Sequence, residues 1–228
     1  MGDRIPNPES RIPAVVNAVL SVLVAPVCAA CDAVLATPLD GCVCRNCWQT
    51  IRPVDEMVFG DGFPMSQLIS AGSYDGTLRD IIHALKYQQR RSIASGLARL
   101  MHAAGKDLLS SADCVVPVPL HWRREYSRGF NQAREIARHL GLPVADALIR
   151  SRATTPQVKL SAEERVANVA DAFILKRARF RAAPDLKGWR VVLIDDVATT
   201  GATLEACARV LKMAGATSVY GLTAARKT

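Results

Sequence analysis

The sequence predicts an α/β fold in which a mostly parallel sheet carries helices on both faces, with a small cysteine-rich module in front of it. Short apolar runs alternate with segments of helical periodicity, which is typical of parallel strands joined by helices. Five of the seven cysteines lie within residues 28–47. The 228 residues, half of them apolar, suffice for one full core and a small additional module.

The chain divides into three predicted parts. Residues 1–27 form a tail and a short amphipathic helix that ends at Pro26. Residues 28–64 form the cysteine module with a linker, and residues 65–228 form the main domain. The apolar stretch at 14–27 could also be interpreted as a signal peptide, but it is too short to span a bilayer and leads directly into the cysteines. We therefore expect a cytoplasmic protein without a membrane span.

The main domain alternates between strands and helices. The run at 191–194 is apolar without alternation, as in a central strand that is buried on both faces. A polar, poorly periodic segment at 151–168 suggests a surface excursion that acts as a lid. The predicted elements are, in order, a strand at 67–74, helices at 77–87 and 92–106, a strand at 114–119, a loop at 121–130, a helix at 132–140, strands at 142–149, 171–175 and 190–194, a helix at 202–214 and a strand at 218–223.

Two carboxylates and a small-residue loop follow the strand at 190–194. Asp195 and Asp196 are delivered to the carboxyl edge of the sheet, where ligands of open α/β sheets bind. Small residues let backbone N–H groups approach an anion, and the start of the next helix favours negative charge. The candidate phosphate-binding residues are Val197, Ala198, Thr199, Thr200, Gly201, Ala202 and Thr203.

A phosphate beside two carboxylates indicates a ribose 5-phosphate. Its 2- and 3-hydroxyls would donate to Asp195 and Asp196, which can also hold Mg²⁺ through water. The alternative is the Asp pair of a nucleoside triphosphatase or a receiver domain, but the sequence has no G-x-x-x-x-G-K-[ST] loop and no G-x-G-x-x-G loop. Residues 190–203 therefore predict a loop that binds phosphoribosyl diphosphate, with the two aspartates as catalytic residues.

A phosphoribosyl diphosphate also needs a subsite for its diphosphate. The loop after the strand at 114–119 is the candidate, with Arg123 and Arg124 as binding residues and Arg128 in the catalytic set. Arginine grips phosphate oxygens in a bidentate fork, although each of these arginines could instead be an exposed, solvated charge. Of the four histidines, only His121 lies in a candidate site.

The net charge of +8 is concentrated in one region. Residues 119–191 contain 15 Lys/Arg and 7 Asp/Glu, whereas the rest of the chain contains 14 of each sign. Such a region favours a diphosphate-bearing small molecule or a nucleic acid backbone, although a solvated basic surface is the simpler alternative. Trp122 and Tyr126 are interleaved with the arginines, which suits base stacking, but core packing would explain Trp122 equally well.

Two C-x-x-C pairs separated by 12 residues predict a four-thiolate metal site. The predicted ligands are Cys28, Cys31, Cys44 and Cys47, and the expected metal is zinc in a closed, structural site. Cys42 is a fifth thiol that could replace Cys44. An iron–sulfur cluster and unliganded structural cysteines are the alternatives.

With these motifs the sequence resembles the ComF family of competence-associated, phosphoribosyltransferase-like proteins, over nearly the whole chain. The resemblance implies a type I phosphoribosyltransferase core, a zinc-ribbon-like N-terminus and a role in handling incoming single-stranded DNA. It also supports Lys86 as a binding residue. Beyond the cysteine pairs and the phosphate loop, the motifs that carry it are Tyr74-Asp75-Gly76, Leu85-Lys86-Tyr87, Pro117-Val118-Pro119, Arg128-Gly129-Phe130-Asn131-Gln132, Gln157, Arg165 and Asn168.

Two functions from different classes remain open at this point. The first is a phosphoribosyltransferase that uses Mg²⁺ and transfers to an unidentified acceptor; it needs no nucleophile, only positioning, charge neutralisation and a lid such as 155–168 with Gln157, Lys159 and Arg165. The second is a single-stranded-DNA-binding accessory of the DNA-uptake machinery that keeps the phosphoribosyl site for sensing or orientation. A regulator that responds to ligand level is a third, weaker hypothesis.

Overall fold

The computed structural model describes residues 26–35, 41–151, 172–176 and 185–227. Two sequence predictions fall on other residues. These are nearly all of the amphipathic helix before Pro26, and the lid with Gln157, Lys159 and Arg165.

The described residues contain both helices and strands, which agrees with the predicted α/β class. The helices are α1 (Arg45–Gln49), α2 (Gly76–Tyr87), α3 (Ile93–Ala104), α4 (Lys106–Ser110), α5 (Trp122–Arg128), α6 (Gln132–Ala137) and α7 (Ala202–Met213). The strands are β1 (Met57–Val58), β2 (Gln67–Ser70), β3 (Cys114–Pro117), β4 (Leu148–Arg150), β5 (Phe173–Leu175), β6 (Arg190–Ala198) and β7 (Ser218–Arg226).

The main sheet has the strand order β1-β2-β7-β6-β3. Only the short edge strand β1 is antiparallel to its neighbour, so the prediction of a mostly parallel sheet is confirmed. A second, two-stranded antiparallel sheet pairs β4 with β5. Because β6 lies between β7 and β3, the residues that follow its apolar run reach the carboxyl edge near the middle of the sheet.

The absence of alternation in β6 is explained by two cores, one on each face of the sheet. Val192 and Ile194 pack on the face that α2, α3 and α6 cover, whereas Val191 and Leu193 pack on the face that α7 covers. All four side chains are fully buried. Adjacent strand residues point to opposite faces, so a strand with a core on either side must be apolar at every position.

The predicted end of this strand at Ile194 is wrong. β6 continues to Ala198 because β7 runs beside it as far as Arg226, with Asp195 in register with Thr223. The chain therefore keeps its pairing through both aspartates, and the loop begins only at Thr199. Sequence periodicity could not show this, because the extension begins with two aspartates and depends on the length of the partner strand.

The predicted loop at 121–130 is also wrong, since residues 122–128 form α5. His121 caps its start by accepting a hydrogen bond from the Arg123 N–H at Nδ1 (3.3 Å), and Gly129 ends it in the left-handed conformation with a φ of 76°. No residue of α5 is buried. Without an apolar stripe, the helix has no periodicity for a sequence to display.

The cysteine module packs directly on α2 and α3. Cys28 and Cys47 are buried in the same core as the inner faces of these helices. The Trp48 ring lies so close to α3 that a Cβ atom at Gly96 would come within 2.4 Å of it. No helix in the described part of the chain is long and apolar enough to cross a bilayer.

Candidate functional site

The candidate site lies at the carboxyl edge of β6, where Asp195 and Asp196 occupy successive strand positions. Their side chains therefore point to opposite faces of the sheet. Asp196 lies on the face that α2 covers and is 8% exposed, whereas Asp195 lies on the face that α7 covers and is partly buried. The backbone N–H of Asp196 donates to Asp195 Oδ1 (2.8 Å), which fixes the orientation of the Asp195 carboxyl group.

Lys86 meets Asp196 from the last turn of α2. Its Nζ atom lies 2.7 Å from Asp196 Oδ1, and the side chains are only 14% and 11% exposed. Burial by itself disfavours the ammonium form of Lys86, but the adjacent Asp196 carboxylate outweighs it, and the pKa of Lys86 is raised above its ordinary value. The structure thus brings Lys86, a candidate from the sequence, into a charged pair with a predicted catalytic residue.

Asp195 has a pKa that is raised to about 7. Burial is the main cause, repulsion by Asp196 adds to it, and the Lys86 charge opposes it. A carboxyl group with this pKa exchanges its proton near neutrality, so it can accept a hydrogen bond from a hydroxyl group or donate one.

The loop after β6 forms an open turn into α7. Thr199 and Thr200 are exposed, and Gly201 adopts a φ of 77°, which side-chain-bearing residues rarely tolerate. The Thr200 hydroxyl oxygen lies 3.4 Å from the Ala202 nitrogen at the start of α7. The unpaired N–H groups of the first turn of a helix suit an anion. Among the predicted phosphate-binding residues, those from Thr199 to Thr203 share this turn, whereas Val197 and Ala198 lie within β6.

The three arginines of the basic segment are not brought together. Arg123 is exposed, and its guanidinium lies 5.2 Å from the centre of the Trp122 ring. Arg128 donates to Gln132 Oε1 (3.0 Å) and lies 5.3 Å from the centre of the Tyr87 ring. Arg124 is half-buried, and burial together with the Arg124 charge lowers the pKa of Arg150. The arginines therefore face different neighbours, because a helix separates side chains that a loop could have gathered.

Sequence reasoning missed Arg150, which ends β4 and is only 8% exposed. Its guanidinium lies 5.3 Å from the centre of the Phe173 ring on β5. Burial lowers the pKa of Arg150, and the charge of Arg124 lowers it further, while Asp195 opposes both. The sequence contained one signal for it, since Arg150 directly follows the apolar residues Leu148 and Ile149. A buried arginine is rare, so an arginine in such a position is a candidate for a functional role.

The four predicted metal ligands form one cluster. The Sγ atoms of Cys28, Cys31, Cys44 and Cys47 all lie within 4.8 Å of one another, and the Cys28–Cys47 and Cys31–Cys44 pairs are each 3.8 Å apart. A tetrahedron with Zn–S bonds of about 2.3 Å has sulfur atoms about 3.8 Å apart, so the residues fit such an ion. Cys42 lies elsewhere, with its Sγ atom 3.4 Å from Ser92 Oγ.

Cys28 is prepared to act as a thiolate. Burial opposes its ionisation, but the backbone N–H groups of Cys44 (3.3 Å) and Ala30 (3.5 Å) point at its sulfur atom. Together with further hydrogen bonds around the cluster, they lower the pKa of Cys28 to about 6. A thiolate is the form that binds metal. The cysteine cluster is therefore positioned to hold a metal ion.

Comparison with known proteins identifies a family for the part of the chain that contains these residues. The phosphoribosyl transferase domain family matches residues 126–227, which include β6, the loop and α7. DNA utilization protein YhgH of Escherichia coli K12 is 36% identical over 166 residues, 68% of this chain and 70% of the relative. Competence protein F of Haemophilus influenzae is 31% identical over 191 residues, 78% of this chain and 77% of the relative.

The chain belongs to the ComF family. Competence protein ComFC of Bacillus subtilis is also similar to it, with 31% identity over 196 residues, 81% of this chain and 72% of the relative. Membership of the ComF family, together with the strand order, gives the main domain a phosphoribosyltransferase-like fold and links the protein to competence.

Proposed function

We propose that this ComF protein binds phosphoribosyl diphosphate with Mg²⁺ and transfers the phosphoribosyl group to an acceptor. The observation that carries the proposal is the juxtaposition, at one edge of the central strand, of Asp195 and Asp196 with the anion-suited turn from Thr199 to Thr203. One end of this site suits a phosphate, and the other suits the hydroxyl groups of a sugar. A ribose 5-phosphate has both within one molecule.

Each part of the site has its own task in such a reaction. The turn from Thr199 to Thr203 binds the 5-phosphate through N–H and hydroxyl donors. Asp195 and Asp196 accept hydrogen bonds from the ribose hydroxyls and hold the sugar in place while positive charge develops at its C1 carbon. Mg²⁺, held through water by the same carboxylates, would neutralise charge on the departing diphosphate.

The cations around the site bind the diphosphate group of phosphoribosyl diphosphate. Lys86 pairs with Asp196, and the charge of Arg124 acts on Arg150, whose charge in turn acts on Asp195. Arg128 lies beside Tyr87, one position along α2 from Lys86, whereas Arg123 lies on the exposed side of α5. We assign Lys86 and Arg124 to binding and keep Arg128 as the candidate catalytic cation at the leaving group.

The proposal is tested by calorimetric titration with phosphoribosyl diphosphate in the presence of Mg²⁺. Asp195→Asn is the sharpest variant because it leaves the Lys86–Asp196 pair intact. Loss of charged hydrogen bonds to the ribose should weaken binding by roughly ten- to a hundredfold, whereas Asp80→Asn, a surface change on α2, should have no effect. Undiminished binding by Asp195→Asn would refute the assignment. Transfer is tested separately, by diphosphate release in the presence of a metabolite pool.

A second candidate function is the binding of single-stranded DNA as an accessory of the DNA-uptake machinery. It is favoured by the exposure of Trp122 (64%) and Tyr126 (88%), which excludes core packing as the reason for either residue. Tyr87 is 60% exposed and carries the Arg128 guanidinium against its ring. Exposed aromatic rings beside arginines are the usual platform for unpaired bases.

We also propose that the cysteine cluster holds one zinc ion in a structural role. A closed set of four thiolates leaves no position for a substrate, and the cluster packs against α2 and α3. Zinc would supply folding energy to the cysteine module.

A further inference from the structure

The cysteine module is attached to the main domain near the starts of α2 and α3. The Trp48 ring lies against the first turn of α3, where a Cβ atom at Gly96 would come within 2.4 Å of it. Ile51 packs on the turn before α2, since a Cβ atom at Gly72 would come within 2.7 Å of Ile51 Cγ2. The module therefore fixes where both helices begin.

The exit of the module also extends the carboxyl edge of the main sheet. The Ser73 N–H donates to the Arg52 carbonyl oxygen (3.0 Å), and Ser73 forms a parallel bridge with Arg226 of β7. Arg226 is in register with Ala198, the last residue of β6. Arg52, Ser73, Arg226 and Ala198 thus lie side by side, and the turn from Thr199 to Thr203 follows directly. A row of paired backbone segments joins the module to the anion-suited turn.

A second connection runs along α2 to the carboxylates. α2 begins at Gly76, just after Ser73, and its last turn holds Lys86 Nζ 2.7 Å from Asp196 Oδ1. The inner face of the helix is fully buried, for example at Ile81 and Leu85. Closely packed interiors transmit displacements because they are hardly compressible. A shift at the start of α2 would therefore reach the Lys86–Asp196 pair.

The attachment points directly follow one of the predicted metal ligands. Trp48, Ile51 and Arg52 come after Cys47, which is buried within the thiol cluster. A structural metal ion supplies folding free energy to the segment that carries its ligands. Without it, Cys47 would lose its link to the other three thiols, and the contacts with α2, α3 and Ser73 would loosen.

We propose that the cysteine module is a metal-dependent regulator of the candidate site, which binds a sugar phosphate more tightly while the four thiols hold a metal ion. The inference rests on the proposed function and on the proposed zinc ion. Ile51 and Arg52 are positioning residues, because they act on the site through the Ser73–Arg226 row and through α2. When two binding sites are coupled, each ligand raises the affinity for the other by the same factor. The coupling can therefore be measured from either site.

The first experiment measures this factor in the full chain, with ribose 5-phosphate as the probe. Calorimetry gives the affinity of zinc-loaded protein and of protein from which a chelator has removed the metal. We expect the metal-free protein to bind at least about fivefold more weakly, which is the lower end of typical coupling between two sites. Competition for zinc with a chromophoric chelator, with and without saturating ribose 5-phosphate, should give the same factor.

The second experiment interrupts the connection without removing the metal. Ile51→Ala shortens the side chain that lies against Gly72 and changes no thiol. The variant should keep its zinc, bind ribose 5-phosphate more weakly and show a smaller difference between its zinc-loaded and metal-free forms. Val58→Ala is the matched control, since Val58 is 72% exposed on the edge strand β1. Its affinity should stay within about twofold of wild type, as expected for an exposed position.

The outcomes separate this inference from the proposed function. Equal affinity for ribose 5-phosphate in the zinc-loaded and metal-free protein would overturn the regulation and leave the proposed function standing. Absence of binding by the zinc-loaded protein would remove both. If circular dichroism shows that the whole chain unfolds without metal, the zinc-loaded variants replace this comparison, and equal affinities of Ile51→Ala and Val58→Ala would overturn the inference.

Discussion

Lys86 Nζ lies 2.7 Å from Asp196 Oδ1, and this pair joins the helix that supports the cysteine module to the strand that carries the candidate site. Arg52, which follows the cysteine module, is bonded to the turn before α2. It forms an ion pair with Asp75 (2.6 Å), and its carbonyl oxygen accepts a hydrogen bond from the Ser73 N–H (3.0 Å). The module and the site are thus connected through one helix.

Replacing Lys86 by Met should destabilise the fold, because it leaves the Asp196 carboxylate buried without its partner. The free energy of unfolding should fall by about 3 kcal/mol, measured by urea denaturation at neutral pH. The double variant Lys86→Met with Asp196→Asn should recover most of the loss, since no buried charge then remains. If the double variant is as unstable as the single one, packing of the lysine stem and not the charge pair is responsible.

Asp195→Asn should stabilise the unliganded protein more at pH 8 than at pH 4. The pKa of Asp195 is raised to about 7 by burial and by Asp196, so ionisation costs the folded state free energy that the unfolded state does not lose. The stability that the protonated carboxyl group provides is complete below its unfolded pKa, near pH 4, and is lost as the pH rises through 7. A tenfold difference in the acid dissociation constant between the two states corresponds to about 1.4 kcal/mol. Melting curves for both proteins across this range test the sign, and an equal difference at both pH values would contradict it.

Purified protein should contain one equivalent of zinc, and Cys47→Ser should lose it together with the fold of the cysteine module. Metal binding here supplies folding energy, and Cys47 is buried inside the cluster. Elemental analysis by mass spectrometry gives the stoichiometry. Cys42→Ser is the matched control and should keep its zinc, because the Cys42 thiol lies against Ser92. Iron, or no metal, in chelator-washed protein would contradict the assignment.

Gly96→Ala should weaken the attachment of the cysteine module to α3. The added methyl group would lie 2.4 Å from the Trp48 ring, and overpacking of this kind costs about 1–3 kcal/mol even though Ala is the better helix former. Hydrogen exchange should show increased opening in residues 41–50 before the central strands are affected. If hydrogen exchange became faster in β6 to the same degree as in the module, the two would open together, which would contradict the prediction.

Trp122→Ala and Tyr126→Ala should each reduce the affinity for single-stranded DNA. Stacking of a base on an aromatic side chain contributes about 1–3 kcal/mol, so each change should cost roughly five- to a hundredfold. Fluorescence anisotropy at low and moderate salt would also report the salt dependence expected of phosphate contacts. Tyr126→Phe retains the ring and should bind normally. Absence of DNA binding by the wild-type chain would count against this second function.

Features that depend on spacing within a short segment could be predicted from the sequence alone. The uninterrupted apolar run of β6 predicted its burial on both faces, and the two C-x-x-C pairs predicted the thiol cluster. Each depends only on the geometry of one strand or of one C-x-x-C turn, so the local sequence pattern is sufficient to predict it.

Contacts between distant side chains, in contrast, became visible only in the folded chain. Lys86 and Asp196 are brought together by the packing of α2 on the sheet, and Arg150 meets the Phe173 ring because β4 pairs with β5. The fold likewise placed Cys42 outside the thiol cluster. Contacts of this kind depend on strand order and register across the whole chain, and a local pattern contains no information about either.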